Sequence, residues 1–274
     1  MIVRTDAVVL RTLDYGETSR IVTLLTRTHG VVGALAKGAR RTKSRFGSTL
    51  QPMACVEAVL YMKPNRGLQT FKEAAHHVRF PHLDGSDLDR LTAGLRAVEV
   101  ARLTLDEGDT HPLALDLLIR TLATIDSAAE GAGNAVPWFQ LRLASLLGFD
   151  PDIDRDDVLA LGDEGGALLL ETGAVLPPDA EAPPGVDPRL GPSAFGGVRA
   201  SRAALRAFAI LARTDLETAT RMRLDNATRR ETEALVDAYL RTHIGSAFPE
   251  RVRGVADQMD AGRDAADAWM ETPE

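Results

Sequence analysis

The chain has 274 residues, of which 45% are apolar and 26% charged, proportions typical of a soluble globular protein with room for two domains. Its net charge of −7 is unevenly distributed. Residues 1–80 hold 13 Lys/Arg and 5 Asp/Glu (+8), whereas residues 81–274 hold 19 Lys/Arg and 34 Asp/Glu (−15). We expect neither a secretory leader nor a membrane span. The opening residues MIVRTDAVVL lack an apolar stretch followed by small residues, and no stretch approaches the ~18 uninterrupted apolar residues of a span. We therefore expect a cytoplasmic protein with a nucleic-acid surface at its basic end.

Five β-rich segments, with no long helix between the first three, predict a small closed antiparallel barrel in residues 1–80. The expected strands cover 6–13, 20–26, 31–37, 53–63 and 68–75. Turn signals separate them at Tyr15-Gly16-Glu17, Thr28-His29-Gly30 and Pro64-Asn65-Arg66-Gly67. The five-stranded OB-fold is the commonest barrel of this length.

Helical spacing begins after Pro81 and predicts a helical domain made of residues 81–149 and 200–246. The first helix covers 86–107, with Ser86 as its N-cap. A second opens at His111-Pro112, and a third runs from Pro137 to about Leu147 and is closed by Gly148. Two more are expected at 201–213 and 226–243, so that the fold class is α+β.

Residues 150–199 differ in composition and predict a small separate lobe. Ala167–Glu171 and Ala174–Leu176 resemble a short hairpin, and residues 177–193 are rich in Pro and Gly, which is typical of an exposed loop. The last stretch, 247–274, has little apolar pattern and predicts a frayed tail, although Trp269 leaves docking on the body open.

The feature most informative about function is a basic loop, residues 37–45, between the third and fourth strands. It carries five cations, and we expect four more basic residues to extend the same surface: Lys37, Arg40, Arg41, Lys43 and Arg45, joined by Arg11, Arg20, Lys63 and Arg66. Such a loop can lay cations along a phosphate backbone without specifying bases. A solvated charged face is the alternative, but the excess charge of residues 1–80 favours nucleic acid. Phe46 either stacks on a base or anchors the loop from below.

Catalytic motifs are not found in the sequence, and we expect a protein that is not an enzyme and holds no cofactor. His76, His77 and His82 are close in sequence, but a third or fourth metal ligand at standard spacing is missing. Cys55, the single cysteine, is expected in the core, and it excludes both an internal disulfide and a thiolate-rich metal site. The remaining enzymatic hypothesis is a metal-dependent nuclease or hydrolase that uses the acidic cluster Asp152, Asp154, Asp156 and Asp157, although such loops usually stay solvated.

Several segments also resemble a known family, the bacterial recombination and repair mediator RecO. They lie at 10–22 (LRTLDYGETSRIV), 28–30 (THG), 37–41 (KGARR), 50–52 (LQP) and 141–151 (LRLASLLGFDP). The resemblance implies an N-terminal OB-fold that binds single- and double-stranded DNA and anneals strands. It further implies that the protein works at the nucleoid with RecR to help load RecA onto DNA covered by single-stranded DNA-binding protein (SSB).

The family often carries a zinc module with two Cys-x-x-Cys pairs, and this chain departs from that pattern. Residues 150–200 keep a Gly196-Gly197 pair but contain no cysteine. Asp154, Asp156, Asp157 and Asp163 are poor substitutes for four thiolates in a soft tetrahedral site. We therefore expect no metal and a degenerate, zinc-free lobe that is packed in another way.

The family's task also requires a site for the acidic C-terminal tail of SSB, which calls for a cation beside apolar residues. Four arginines beside predicted apolar helix faces are the candidates: Arg96, Arg102, Arg120 and Arg142. Each is otherwise a surface arginine whose stem covers apolar neighbours. A second functional hypothesis follows, an adaptor whose helical body docks SSB or RecR while its DNA contact is incidental.

Overall fold

The N-terminal barrel consists of five strands that close in the order β1-β2-β3-β5-β4. Their bounds are β1 Ile2–Tyr15, β2 Ser19–Thr26, β3 Gly30–Ala36, β4 Cys55–Tyr61 and β5 Leu68–Val78. Every pairing is antiparallel except that of β3 with β5. The predicted OB-fold barrel is thus confirmed in this computed structural model, which describes residues 1–64, 66–83, 85–180 and 196–244.

The barrel strands are apolar on both faces, and the two faces belong to different cores. Ala7, Val9, Leu24 and Phe71 are among the residues that fill the barrel interior. The alternate positions point outward into the helical core, with Val8, Leu10, Leu25, Val31 and Cys55 fully or almost fully buried there. Because side chains alternate along a strand, one register serves both cores at once.

Seven α-helices follow the barrel in the described residues. They are α1 Leu88–Thr104, α2 Pro112–Ser127, α3 Ala135–Leu146, α4 Arg155–Ala160, α5 Arg202–Arg213, α6 Leu216–Arg221 and α7 Asn226–Ile244. The N-cap predicted at Ser86 is wrong by one residue, since the Asp87 carboxylate accepts hydrogen bonds from the Asp89 and Arg90 amides. Among the helices of the described ranges, none has the length and hydropathy of a membrane span.

The small lobe contains a three-stranded sheet in the order β7-β6-β8. β6 (Gly166–Leu169) and β7 (Val175–Leu176) form the predicted hairpin, and β8 (Gly197–Ala200) adds an edge that the sequence did not indicate. Ile153, Val158, Leu161 and Leu168 join the helical core, so aliphatic packing holds the lobe against the helices. Residues 181–193 of the predicted loop and the 247–274 tail lie outside the described residues.

A close backbone contact joins the β2–β3 turn to the segment between α1 and α2. Gly30 has a φ of +61°, and a Cβ placed there would lie 2.0 Å from the Asp109 carbonyl oxygen. Glu107 forms bridges to Gly30 and Val31. Arg27 extends the contact with an ion pair of 2.7 Å to Asp116, which lowers the pKa of that carboxyl.

We expect Gly30→Ala to lower the free energy of unfolding by about 2–3 kcal/mol, through left-handed strain and a backbone clash. Gly16→Ala is the matched control, because Gly16 has a similar φ of +58° but open space around the added methyl. We expect the free energy of unfolding of the control to fall by only about 1 kcal/mol. Urea unfolding measures both, and equal losses would show that the Asp109 contact contributes nothing.

Candidate nucleic-acid interface

The basic loop folds back against the β1–β2 turn at one end of the barrel. The Arg40 amide donates to the Thr18 carbonyl at 2.9 Å, and its guanidinium Nη1 donates to the Gly16 carbonyl at 3.0 Å. The Asp14 carboxylate lies 3.2 Å from Nε of both Arg20 and Arg40. These contacts bring Arg20 and Arg40 together, but part of their charge holds the loop in place.

Phe46 fixes the other end of the loop inside the barrel. Its ring is only 3% exposed and meets the Phe71 ring edge to face, with centroids 5.7 Å apart. The Thr49 hydroxyl donates to the Phe46 carbonyl at 2.5 Å, which closes the chain behind the ring. Since a buried ring cannot stack on a base, Phe46 is the anchor of the loop, and Arg45 covers it with a guanidinium 5.2 Å from the ring centre.

Between these two attachments the loop presents its remaining cations to solvent. Lys37, Arg41 and Lys43 are exposed, and none forms an ion pair with a carboxylate of the described residues. The loop therefore has a fixed backbone, and the charges of these three residues, like that of Arg45, are not compensated by a described carboxylate. That combination suits a polyanion, because little of the loop's freedom has to be lost on binding.

The other predicted cations do not all lie beside the loop. Arg11 is exposed on β1, opposite Thr23 of β2 and two strand positions from the apolar residue Leu13. Lys63 and Arg66 flank the β4–β5 turn, whose backbone is held by the Gln69 amide. Because β3 and β5 run parallel with Gly33 beside Leu68, the turn before β5 lies beside the middle of β3, whereas the basic loop begins where β3 ends.

The outer face of β1, β2 and β3 carries an apolar row that sequence reasoning did not identify. Leu13 pairs with Ile21, and Ile21 pairs with Leu35, so the three side chains lie side by side across the strands. Leu13 is 45% exposed, and Tyr15 beyond it is 54% exposed. The alternation of these residues with inward ones was visible in the sequence, but their alignment depends on the strand register.

The histidines and the cysteine show no common site. His76 contacts the Ser48 hydroxyl at 2.9 Å, His82 lies 3.3 Å from Asp126, and His77 lies 3.9 Å from Asp6. Within the described parts of the chain, no three His, Cys, Asp or Glu residues gather in a way that could hold a metal ion. Cys55 is a core residue as predicted, and burial raises the pKa of its thiol to about 11.

The acidic cluster has a structural use in α4. The Asp154 side chain accepts from the Asp156 amide and caps the helix, and Asp156 and Asp157 occupy its first turn. Acidic residues are stabilising there, since they face the positive end of the helix dipole. Nothing in this arrangement assembles the carboxylates around a common point, as a nuclease site would require.

The four candidate arginines for an acidic peptide are in different situations. Three form ion pairs: Arg96 with Glu233 at 2.7 Å, Arg102 with Glu99 at 2.7 Å and Arg120 with Glu217 at 3.1 Å. Arg142 instead lies 5.6 Å above the Trp138 ring and donates to the Thr214 carbonyl at 2.7 Å. Its charge is not paired with a described carboxylate, and Leu146, one turn further along α3, is 44% exposed.

Comparison with known proteins accounts for nearly the whole chain. Residues 1–78 match the family model for the N-terminal part of recombination protein O, and residues 85–251 match the model for its C-terminal part. The chain belongs to the RecO family. The two RecO matches meet between β5 and α1, where the barrel gives way to the helices.

Full-length relatives agree with this family assignment. The chain is 45% identical to the DNA repair protein RecO of Salinibacter ruber over 262 residues, which is 96% of each chain. It is 31% identical to the DNA repair protein RecO of Chloroherpeton thalassium, over 94% of this chain and 99% of the relative. This RecO family member is therefore a DNA repair protein, and neither the family models nor these relatives are named for an enzymatic activity.

Proposed function

We propose that this protein is a non-enzymatic recombination mediator that binds single- and double-stranded DNA and anneals complementary strands. With RecR it helps load RecA onto SSB-covered single strands, in the cytoplasm at the nucleoid. Residues 1–80 bind DNA, the helical domain of 81–149 and 200–246 binds partners, and the lobe of 150–199 and the tail of 247–274 are accessory. None of these steps breaks or forms a covalent bond, so binding surfaces are sufficient.

The observation that carries the proposal is the basic loop, anchored by Phe46 and the Asp14 ion pairs while Lys37, Arg41 and Lys43 stay exposed. Phosphates contact these three cations and the guanidinium of Arg45. The loop reads no base edges, because long cations on a loop neutralise phosphates wherever these lie. Base-independent binding is what annealing and mediation require.

A single strand continues from the loop across the outer face of the barrel. Sugars and bases lie on the row of Leu13, Ile21 and Leu35, and Arg11 holds a phosphate at its edge. On an OB-fold, single strands usually follow a positively charged groove and lay their bases on side chains of the barrel face, most often aromatic ones. Lys63 and Arg66, on the β4–β5 turn beside the middle of β3, contact DNA only when the strand is long enough to pass that turn.

A specific observation also supports the adaptor hypothesis for the helical domain. Arg142 beside the exposed Leu146 offers a cation and an apolar contact to an acidic peptide such as the SSB tail, whereas Arg96, Arg102 and Arg120 are already paired. We assign the SSB tail to this place. RecR also binds the helical domain, and RecA is reached indirectly through DNA and SSB.

Titration of the full chain with labelled mixed-sequence single strands at several salt concentrations tests the proposal. Neutralising three to five phosphates predicts a slope of log K against log salt of about −2 to −3.5, at ~0.7 for each phosphate of a single strand. We expect the same slope for homopolymers of different bases. Undetectable DNA binding, together with retained binding of an SSB tail peptide, would instead identify an adaptor.

A further inference from the structure

The described fold ends at Ile244 of α7, but the sequence continues to Glu274 with an unusual distribution of charge. Residues 254–274 contain six Asp/Glu and a single basic residue, Arg263, and they also include Trp269 and Met270. The carboxylates are spread along the segment, at positions 257, 260, 264, 267, 271 and 274. The C-terminal family match stops at residue 251, so this acidic segment lies beyond the part of the chain that the family model covers.

We propose that the acidic segment, residues 254–274, docks on the basic loop of its own chain and competes with DNA for it. Charge complementarity selects this partner surface: the barrel carries a net charge of +8, and Lys37, Arg41 and Lys43 form no ion pair with a described carboxylate. Many other arginines of the described residues are already paired with carboxylates, including Arg96, Arg102, Arg120 and Arg213.

The apolar row beside the loop strengthens the match. Leu13, Ile21 and Leu35 offer a surface for the Trp269 ring next to the cations that bind the carboxylates. An aromatic residue within an acidic segment reproduces the two properties of a single strand that the barrel face recognises, negative charge and flat rings. The segment is thus a competitor for DNA built into the same chain.

Reach and affinity are both compatible with docking within one chain. Residues 245–274 can extend to about 100 Å, whereas a compact chain of this size has a radius of gyration of about 18 Å. Exposed ion pairs are individually weak, but a tethered segment acts at an effective concentration in the millimolar range. DNA therefore displaces the docked segment, because the charge density of DNA is higher. The docked segment lowers the affinity for short strands more than the affinity for long ones.

The inference rests on the proposed DNA-binding function, and the full chain with Asp257, Asp260, Asp264 and Asp267 changed to Asn tests it. We expect this variant to bind a short single strand about 3–10-fold more tightly than wild type at about 50 mM salt, and less than about 2-fold more tightly at about 300 mM, where screening releases the segment. The matched control removes four exposed carboxylates from the small lobe: D152N/D163N/E171Q/D179N. Equal gains in both variants, or no gain in either, would overturn the docking and leave the proposed function intact.

A labelled peptide of residues 254–274, added to the tail-neutralised full chain, gives a readout that does not depend on DNA. We expect it to bind in a salt-dependent way and to lose binding when Lys37, Arg41 and Lys43 are changed to Gln. Peptide binding that survives this triple substitution would refute the docking site. The difference in DNA affinity between wild type and the tail-neutralised chain should not depend on protein concentration. If it disappears on dilution, docking within the same chain is refuted and docking on a second copy is indicated. If the peptide binds the loop but DNA does not, the proposed function fails while the docking stands.

Discussion

Changing Lys37, Arg41 and Lys43 together to glutamine lowers affinity for single-stranded DNA by about 100-fold at about 50 mM salt, since three charge-assisted phosphate contacts are lost. The slope of log K against log salt becomes shallower by about 2, which is three phosphates at ~0.7 each. These residues are suited to the test because they are exposed and unpaired within the described structure. Arg40 is left in place, since its ion pair with Asp14 and its bond to Gly16 shape the loop.

The matched control removes three exposed arginines from the acidic part of the chain, residues 81–274: R155Q/R199Q/R206Q. These side chains belong to α4, β8 and α5, and they change the net charge by the same amount. We expect affinity within about 3-fold of wild type, because these arginines lie outside the barrel and salt screens exposed charges that do not contact the DNA directly. Comparable losses in both triple variants would show that overall charge, not the basic loop, determines DNA binding.

Phe46→Ala lowers the free energy of unfolding by about 3–5 kcal/mol, the range for removing a buried phenylalanine from a well-packed core. The ring fills the barrel interior against Phe71, so its loss leaves a cavity. In the fraction that folds, the basic loop is released at one end, and DNA affinity falls although every cation is still present. Urea unfolding and DNA titration of the same sample measure the two effects.

Two further variants make the result of Phe46→Ala interpretable. Phe46→Leu retains most of the buried volume, and we expect a loss of about 1–2 kcal/mol with DNA affinity close to wild type. Tyr15→Ala removes an exposed aromatic from the neighbouring surface and should change stability by less than about 0.5 kcal/mol. A stability loss below about 1 kcal/mol in Phe46→Ala would contradict its role as the anchor.

Much of the barrel was predictable because its information is local. Alternating apolar residues and turn signals such as Thr28-His29-Gly30 specify strands and reversals within a few residues. The charge of the basic loop is likewise contained in one short segment. The helices with strong periodicity, α2 and α7, were also identified with correct beginnings, at Pro112 and Asn226.

The parts that sequence reasoning missed depend on contacts between distant segments or on very short elements. The pairing of Asp14 with Arg20 and Arg40 requires the fold of the loop onto the β1–β2 turn. The separation of Lys63 and Arg66 from the loop follows from the parallel pairing of β3 with β5. Each of α4 and α6 has only six residues, too few for periodicity to show. Their caps, Asp154 and Asp215, are their clearest sequence signals.

The apolar residues on the outside of the barrel couple the unfolding of the barrel to that of the helices. Val8, Leu10, Leu25, Val31 and Cys55 belong to the helical core, so the barrel cannot open without exposing apolar surface of the helices. Unfolding is then expected to be cooperative across both parts, and a ligand held at the barrel stabilises the helices by the same free energy. DNA bound at the proposed surface is therefore expected to raise the unfolding midpoint of the helices together with that of the barrel.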